Sequence, residues 1–491
     1  MRNYLTPLLF TLFFVLSIPI IDVLHKSWVD EAFFTEVVNN IYKGNGFVTG
    51  FAEWRDATPK IYGPTFFYTN FLLAKIVGLN FSLLKIVSAF CFLTFAYLVF
   101  VNFNKIAIPQ IAGIALFCAF FEPNYNFEAF NGRMETMAIL FTGLFFMLVN
   151  KVLSETKFVS LNLILSVLVL ILGTLVTPRI LVWYVAFGIG FFAIYFDLLI
   201  SNWKKLTVIV SIGMFFYISN FLLAFGGVDA TISAFQKLIN EYAVQVANTP
   251  LLYDKYILSI TSIMLLSTII IWIKKAQYYR FLTFVSLSTV LYSFLVAKIF
   301  TEIGVYYTLY IFQLIFVATF ITSYLIYTFF QQGNKIWAFS FAAIFFLPMG
   351  YKTIFSFYTQ SARVYNEIVS LNDLDKAESS LFDITNPVKK VVGPSSFYPM
   401  LLAENYVCND IERFPEDRIR YILNEFEPDI IILDDELKTR QTLVYDSLFA
   451  SSKYSKIEFI DLVYNKYKEV NKEKFGFWLD KNQLVILQRK K

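Results

Sequence analysis

The sequence predicts a polytopic α-helical membrane protein followed by a small soluble α/β domain. Three observations carry that prediction. The chain is 57% hydrophobic and only 16% charged, where a soluble domain carries roughly a quarter charged residues. Apolar runs near the ~20 residues that a spanning helix needs recur up to about residue 350. From Tyr351 onward the chain turns polar and its hydrophobic pattern shortens to strand-like runs. The expected division is a membrane domain over 1–350 and a soluble domain over 351–491.

The expected spans lie near Pro7–Leu24, Phe81–Phe103, Ile106–Phe121, Met134–Leu148, Phe158–Val176, Ile180–Ile200, Leu206–Phe225, Tyr256–Ile273, Phe281–Phe300, Val305–Phe330 and Ile336–Met349. The first run is too long for a signal peptide and lacks a small-residue cleavage site, so it reads as an uncleaved helix. The run Tyr62–Gly78 is short, opens on Tyr-Gly-Pro and carries Lys75, which fits a re-entrant or interfacial segment. Charge arbitrates. If that run does not cross, Arg2, Lys105, Lys151, Lys157, Lys204, Lys205, Lys274, Lys275, Arg280 and Lys335 all fall on one side. The positive-inside rule then gives about eleven transmembrane helices plus juxtamembrane helices, with the N-terminus cytoplasmic and the tail extracytoplasmic. On this topology the loops His25–Asn80, Glu122–Arg133 and Gly226–Asp254 face out, as do the turns Thr177–Arg179 and Thr301–Gly304.

In the tail, strands are expected at Lys390–Gly393, Asp429–Leu433 and Gln483–Leu487, with a helix near Pro415–Phe426. Asp434-Asp435-Glu436 follows a strand end, where α/β domains often bind ligands. A solvated loop is the plainer reading of it. Cys91, Cys118 and Cys408 show no disulfide or zinc spacing, and His25 is the single histidine. A divalent metal is compatible with the carboxylates present, but no ligand spacing demands one and no cofactor is required. The net charge of +4 resides in short orienting loops and implies no nucleic-acid partner.

The chemistry concentrates on the outward loops. Trp28-Val29-Asp30-Glu31 follows the first span and opens a stretch with apolar residues at Phe33, Phe34, Val37, Val38, Ile41 and Tyr42. That spacing predicts an interfacial helix closed by Gly44. Asp30 and Glu31 at its start are poor membrane anchors and good general bases, although Ser27-x-x-Asp30 also fits a capping box. Lys60 precedes Ile61-Tyr62-Gly63-Pro64 and either neutralises an anion or snorkels as an ordinary interfacial lysine. The next loop holds Glu122 and Glu128, then Asn131-Gly132-Arg133-Met134-Glu135 at the start of a span. Arg133 alone reads as an anchor, whereas an ionisable Glu135 in the first turn of a membrane helix is costly. Arg179 at an outward hairpin tip runs against the positive-inside bias, which favours a phosphate-binding role. Tyr306 and Tyr307 begin another helix on that side.

These residues resemble the pattern of GT-C fold glycosyltransferases of the protein-mannosyltransferase / aminoarabinose-transferase type. The match rests on Trp28-x-Asp30-Glu31 and on the helix closed by Lys43-Gly44-Asn45-Gly46. Lys60-Ile-Tyr-Gly-Pro64, Gly132-Arg133-Met-Glu135 and Tyr306-Tyr307 complete it. The resemblance implies a multi-pass enzyme of a bacterial inner (cell) membrane that uses a polyprenyl-phosphate-linked sugar donor. The acceptor would be a lipid, glycan or protein, with membrane lipids as surroundings. It implies Asp30 as general base with Glu31 beside it, and Glu135, with Glu128, in an acceptor-binding or site-shaping role. Two departures stand out. The family often has Asp at the position of Glu135, and it commonly has Arg or His before the tyrosines, where this chain has Gly304-Val305. Phosphate binding therefore falls to Lys60, Arg133, Arg179 or Lys298, with Tyr306 and Tyr307 nearby. A polysaccharide polymerase or ligase would share the lipid-linked donor. A transporter or flippase would show internal repeats and midplane polar groups; no repeat is visible, and the ionisable residues cluster at one face.

Overall fold

The structure is a computed structural model. It describes residues 29–48, 62–79, 83–107, 109–120, 132–154, 160–177, 180–236, 255–299, 305–351, 389–394, 405–408, 415–434, 442–462 and 482–490, with the isolated residues 11, 15, 354, 437 and 438. Of the expected first span, Pro7–Leu24, only residues 11 and 15 are described.

The helices are α1 (Val29–Lys43), α2 (Pro64–Val77), α3 (Leu83–Asn104), α4 (Pro109–Phe120), α5 (Met134–Ser154), α6 (Leu161–Thr174), α7 (Leu181–Phe225), α8 (Lys255–Ile273), α9 (Tyr279–Ile299), α10 (Val305–Gln331) and α11 (Lys335–Tyr351). Among the described residues, four helices (within α3, α5, α7 and α10) are apolar and long enough to cross a membrane, and five shorter apolar helices accompany them. The chain is a polytopic α-helical membrane protein. α2 has 14 residues, about 21 Å of helix, which is short of a ~30 Å hydrocarbon core.

Aromatic contacts fix the relative directions of the helices. Phe92 and Phe95 of α3 pack on Phe312 of α10, and Phe103 packs on Phe316 and Phe320, so α3 and α10 run parallel. Phe103 also meets Phe281 at the start of α9, so α9 is antiparallel to both. The Ser88 hydroxyl donates to the Arg133 carbonyl, while Gly143 of α5 lies against Phe95 and Leu98. α3 and α5 are therefore parallel neighbours that begin at the same end of the bundle.

α7 departs from expectation. Two spans were expected, with a turn at Lys204-Lys205, yet those lysines lie within helix and the break is at Tyr195 (φ −121°, ψ 30°). Tyr184 touches Gly173, and Gly213 faces Val167 and Ile171, all of them on α6. A straight helix would hold Tyr184 and Gly213 about 43 Å apart, so the chain doubles back between them. Arg280 staples the bend. Its Nη2 donates to the Ile194 carbonyl at 2.7 Å and to Asp197 Oδ1 at 2.7 Å, and its guanidinium lies 4.9 Å from the centre of the Tyr195 ring. A carbonyl released by a helix break needs such a donor in an apolar setting.

α1 packs its apolar side against α2. Phe34 meets Tyr62, Phe66 and Phe67 edge-on with centroids 5.6–5.9 Å apart. The expected interfacial helix would leave its polar side in water, but Thr35, Glu36 and Asn39 are buried as well. α1 is thus covered on both sides rather than lying on a surface. α2 begins at Gly63, whose φ of +82° disfavours a side chain, and a Cβ there would collide with the Leu175 backbone. Thr65 N–H donates to the Leu175 carbonyl at 3.2 Å, docking α2 on the corner between α6 and α7. Gly63→Ala is expected to cost about 1–3 kcal/mol, read as a lower melting temperature of the purified protein. An unchanged melting temperature would contradict the docking.

The tail is an α/β unit with a five-stranded sheet of β1 (Lys390–Gly393), β2 (Asn405–Cys408), β3 (Ile430–Leu433), β4 (Tyr454–Leu462) and β5 (Asn482–Arg489), in the order β2-β1-β3-β5-β4. β2, β1 and β3 are parallel, and β5 joins β3 and β4 antiparallel. Val392, Ile431, Leu433, Val485 and Leu487 form one face, packed with Ile422, Val444 and Leu448. Val391, Ile430, Ile432, Leu484 and Ile486 on the other face join the apolar cluster of the helical bundle. Burial on both faces explains the unbroken apolar runs of the central strands. The helix expected over Pro415–Phe426 is α-helical to Arg420 and widens to π-helix from Tyr421. Asp434 is buried, and its Oδ1 accepts the Leu437 N–H at 2.8 Å. At Asp434 that is a turn cap, while Asp435 and Glu436 lie outside the described residues.

Candidate functional site

The parallel starts of α3 and α5 define one end of the bundle, and the candidate residues collect there. α6 ends beside α5, since Gly173 lies against Phe141. Its following corner, at Leu175, carries Gly63 and Thr65 of α2. Tyr62, next to Gly63, packs on Phe33 and Phe34, one turn beyond Asp30 and Glu31 in α1. Lys298 is in the last turn of α9, and Tyr306 and Tyr307 are in the first turn of α10, at that same end. Lys60, Glu128 and Arg179 lie outside the described residues, as do the side chains of Asp30, Glu31, Lys298, Tyr306 and Tyr307.

Arg133 and Glu135 form the centre that is described in atomic detail. Arg133 Nε donates to Glu135 Oε2 at 3.1 Å, and its Nη2 donates to Oε1 at 3.2 Å. This two-point geometry is the strong form of an arginine–carboxylate contact. Glu135 is 2% exposed and Arg133 is 7% exposed. Ser88 of α3 and Thr136 both donate to the Arg133 carbonyl, at 2.9 and 3.0 Å. Arg133 stands just before the helix, so its side chain folds back over the first turn, and the carboxylate there is favoured by the positive end of α5. The guanidinium expected to hold a phosphate is thus engaged with Glu135. The pair reads best as a fixed, internally neutral element that shapes the site.

Two residues that the sequence reading passed over join it. Lys85 of α3 is 1% exposed, one turn nearer the bundle end than Ser88. Tyr292 of α9 is buried within electrostatic reach of Glu135. One turn along α9, Thr289 accepts a hydrogen bond from Gln313 Nε2, whose Oε1 accepts the Trp183 indole N–H at 2.8 Å. This chain ties α9, α10 and α7 together beneath the site, as polar side chains do between membrane helices. At the α6–α7 corner, Thr177 Oγ1 and the Tyr184 hydroxyl are buried with no hydrogen-bond partner among the described residues, which leaves polar groups available to a ligand or water. Glu36, on the covered polar side of α1, adds a second buried carboxylate. Among the described residues, no three His, Cys, Asp or Glu side chains gather as a metal set would.

No family model matches the chain, and no curated protein matches it by sequence. Among solved structures, the chain is similar to the crystal structure of ArnT from Cupriavidus metallidurans bound to undecaprenyl phosphate, with 10% sequence identity, a TM-score of 0.48 and 97% of each chain covered.

Proposed function

We propose that the chain is an inverting glycosyltransferase that moves one sugar from a polyprenyl-phosphate donor to a lipid, glycan or protein acceptor. The site lies on the extracytoplasmic face of a bacterial inner membrane, with the N-terminus cytoplasmic and the tail outside. The observation that carries this reading is the meeting of two features at one end of a membrane bundle. The first turn of α1 bears Asp30 and Glu31, and the buried Arg133–Glu135 pair opens α5.

The chemistry follows from those groups. Asp30 takes the proton of the acceptor hydroxyl as its oxygen attacks the anomeric carbon. The bond from that carbon to the phosphate oxygen breaks, and polyprenyl phosphate departs as an anion that cations or helix N-termini must stabilise. Glu31 orients the acceptor beside Asp30, and Glu128 lies in the outward loop that leads through Arg133 into the first turn of α5, where Glu135 stands. Glu135, engaged at two points by Arg133, presents its carboxyl oxygens as hydrogen-bond acceptors that shape the site. Lys60, Arg179, Lys298, Tyr306 and Tyr307 remain the candidates to surround the phosphate.

The test uses purified full-length protein, a panel of polyprenyl-phosphate hexoses and a membrane lipid extract. Acceptor-dependent release of polyprenyl phosphate is expected. Release only from lipid-linked oligosaccharides, with a whole block added to the product, would favour a polymerase or ligase. Translocation of intact donor without cleavage would favour a flippase.

A further inference from the structure

The end of the bundle opposite the candidate site is strongly positive. Lys105 and Lys151 lie at or near the ends of α3 and α5, and Lys204 and Lys205 follow the bend in α7. Lys274, Lys275, Arg280 and Lys335 lie at or beside the turns that join α8 to α9 and α10 to α11. Asp197 is the one carboxylate among the described residues at that end, and Arg280 holds it at 2.7 Å. Arg2, Glu155 and Lys157 of the loops expected there lie outside the described residues and leave the balance positive. Helix ends do not change the sign, because α8 and α10 finish where α9 and α11 begin. An excess of this kind orients membrane helices and is not by itself a site.

Two turns stand apart from the rest. The Lys274 ammonium donates to Gln332 Oε1 at 3.0 Å and lies 4.5 Å from the centre of the Phe329 ring. The Tyr324 hydroxyl donates to the Gln277 carbonyl at 2.8 Å. The α8–α9 and α10–α11 turns are thereby fastened side by side. Lys275 follows α8 in the left-handed conformation (φ 47°) that ordinarily goes to glycine, and Lys335 opens α11. All three lysines are exposed. Among the described residues, none of them pairs with a carboxylate. Beside them, Ile273, Phe330 and Ile336 are exposed on the adjoining helix ends, with Trp272 and Trp337 next to them. Tryptophan favours the headgroup level of a bilayer. The surface therefore pairs unmatched cations with an apolar flank, which suits an amphiphile better than a soluble anion.

We propose that these two joined turns hold one anionic phospholipid from the leaflet at this end, the cytoplasmic leaflet on the topology above. Lys274, Lys275 and Lys335 take the phosphodiester headgroup, and the acyl chains cover Ile273, Phe330 and Ile336. Lysine suits the task, because its ammonium is a compact charge with three donors that can meet phosphate oxygens from several directions. The proposal does not depend on the transferase reading, whose residues lie at the other end of the bundle.

The experiment measures retention of phosphatidylglycerol and of phosphatidylcholine on the full-length protein by native mass spectrometry, with melting temperatures recorded in phosphatidylcholine nanodiscs. Wild type is compared with Lys274→Gln/Lys275→Gln/Lys335→Gln and with Lys204→Gln/Lys205→Gln, which removes two exposed cations of the same end outside the joined turns. The triple variant is expected to bind phosphatidylglycerol about 10- to 100-fold more weakly, with phosphatidylcholine retention unchanged. Lys204→Gln/Lys205→Gln should bind phosphatidylglycerol as wild type does. Equal weakening in both variants would leave only the general field of the positive end and overturn the site. Equal retention of the two lipids by wild type would overturn it as well. Displacement of the lipid by inorganic phosphate would reduce it to an anion site and overturn the lipid assignment. If the triple variant melts lower, Lys275→Gln/Lys335→Gln decides, because it keeps the Lys274–Gln332 contact. Weaker phosphatidylglycerol binding by that stable variant supports the proposal, and unchanged binding overturns it.

Discussion

Asp30→Asn is expected to lower sugar transfer by about 10²- to 10⁴-fold, the range by which a positioned general base accelerates proton transfer. Its melting temperature should stay near that of wild type. Asn keeps the shape of Asp and can still cap the first turn of α1, so capping and catalysis separate in this variant. If Asp30 served only as a cap, transfer would persist near the wild-type rate. The loss should fall on turnover and leave donor binding intact, because the acceptor proton is not engaged until the complex has formed. Glu31→Gln is the control at the neighbouring position. It should lower turnover less than Asp30→Asn, and the reverse order would move the base to Glu31.

The second large effect belongs to the ion pair. Arg133→Met leaves the Glu135 carboxylate buried without its two-point donor, for an expected loss of about 3–5 kcal/mol of stability. Glu135→Leu strands the guanidinium with a similar penalty. The double variant Arg133→Met/Glu135→Leu should recover much of the loss, because removing both charges also removes their desolvation cost. A double-mutant cycle read by unfolding in detergent checks this. Additive losses would show that the two side chains do not act as a pair. Activity should fall in all three variants, including the stable double one, if the pair shapes the site as well as the fold.

Much of the architecture was legible in the sequence, and the exceptions have physical reasons. Span positions follow from hydropathy, and the strand expected at Lys390–Gly393 is β1 with the same limits. The bend at Tyr195 was hidden because Phe191–Asp197 contains no glycine or proline, and the donor that permits it, Arg280, lies far along the chain. β2 is only four residues of mixed polarity. β4 was passed over although Ile457, Phe459 and Leu462 sit among polar residues. In α1, periodicity marked the side that meets α2 and said nothing of what covers Thr35, Glu36 and Asn39.

The site was half legible for the same kind of reason. Glu135 stood out as an acid in a membrane helix, but a spacing of two does not place residues on one helix face. Its pairing with Arg133 arises because Arg133 precedes the helix and folds back. Lys85, near the start of a span, was passed over, and only its burial distinguishes it. Gln313 and Tyr292 are polar positions in otherwise apolar helices, a signal visible in sequence but shared with many structural contacts.

The most direct measurement is the mass of the acceptor product formed by the purified protein from a polyprenyl-phosphate hexose, with Asp30→Asn run beside wild type. The account predicts an acceptor heavier by one sugar, stoichiometric release of polyprenyl phosphate, and almost none of either with the variant. An unmodified acceptor, or equal product from both proteins, would contradict it.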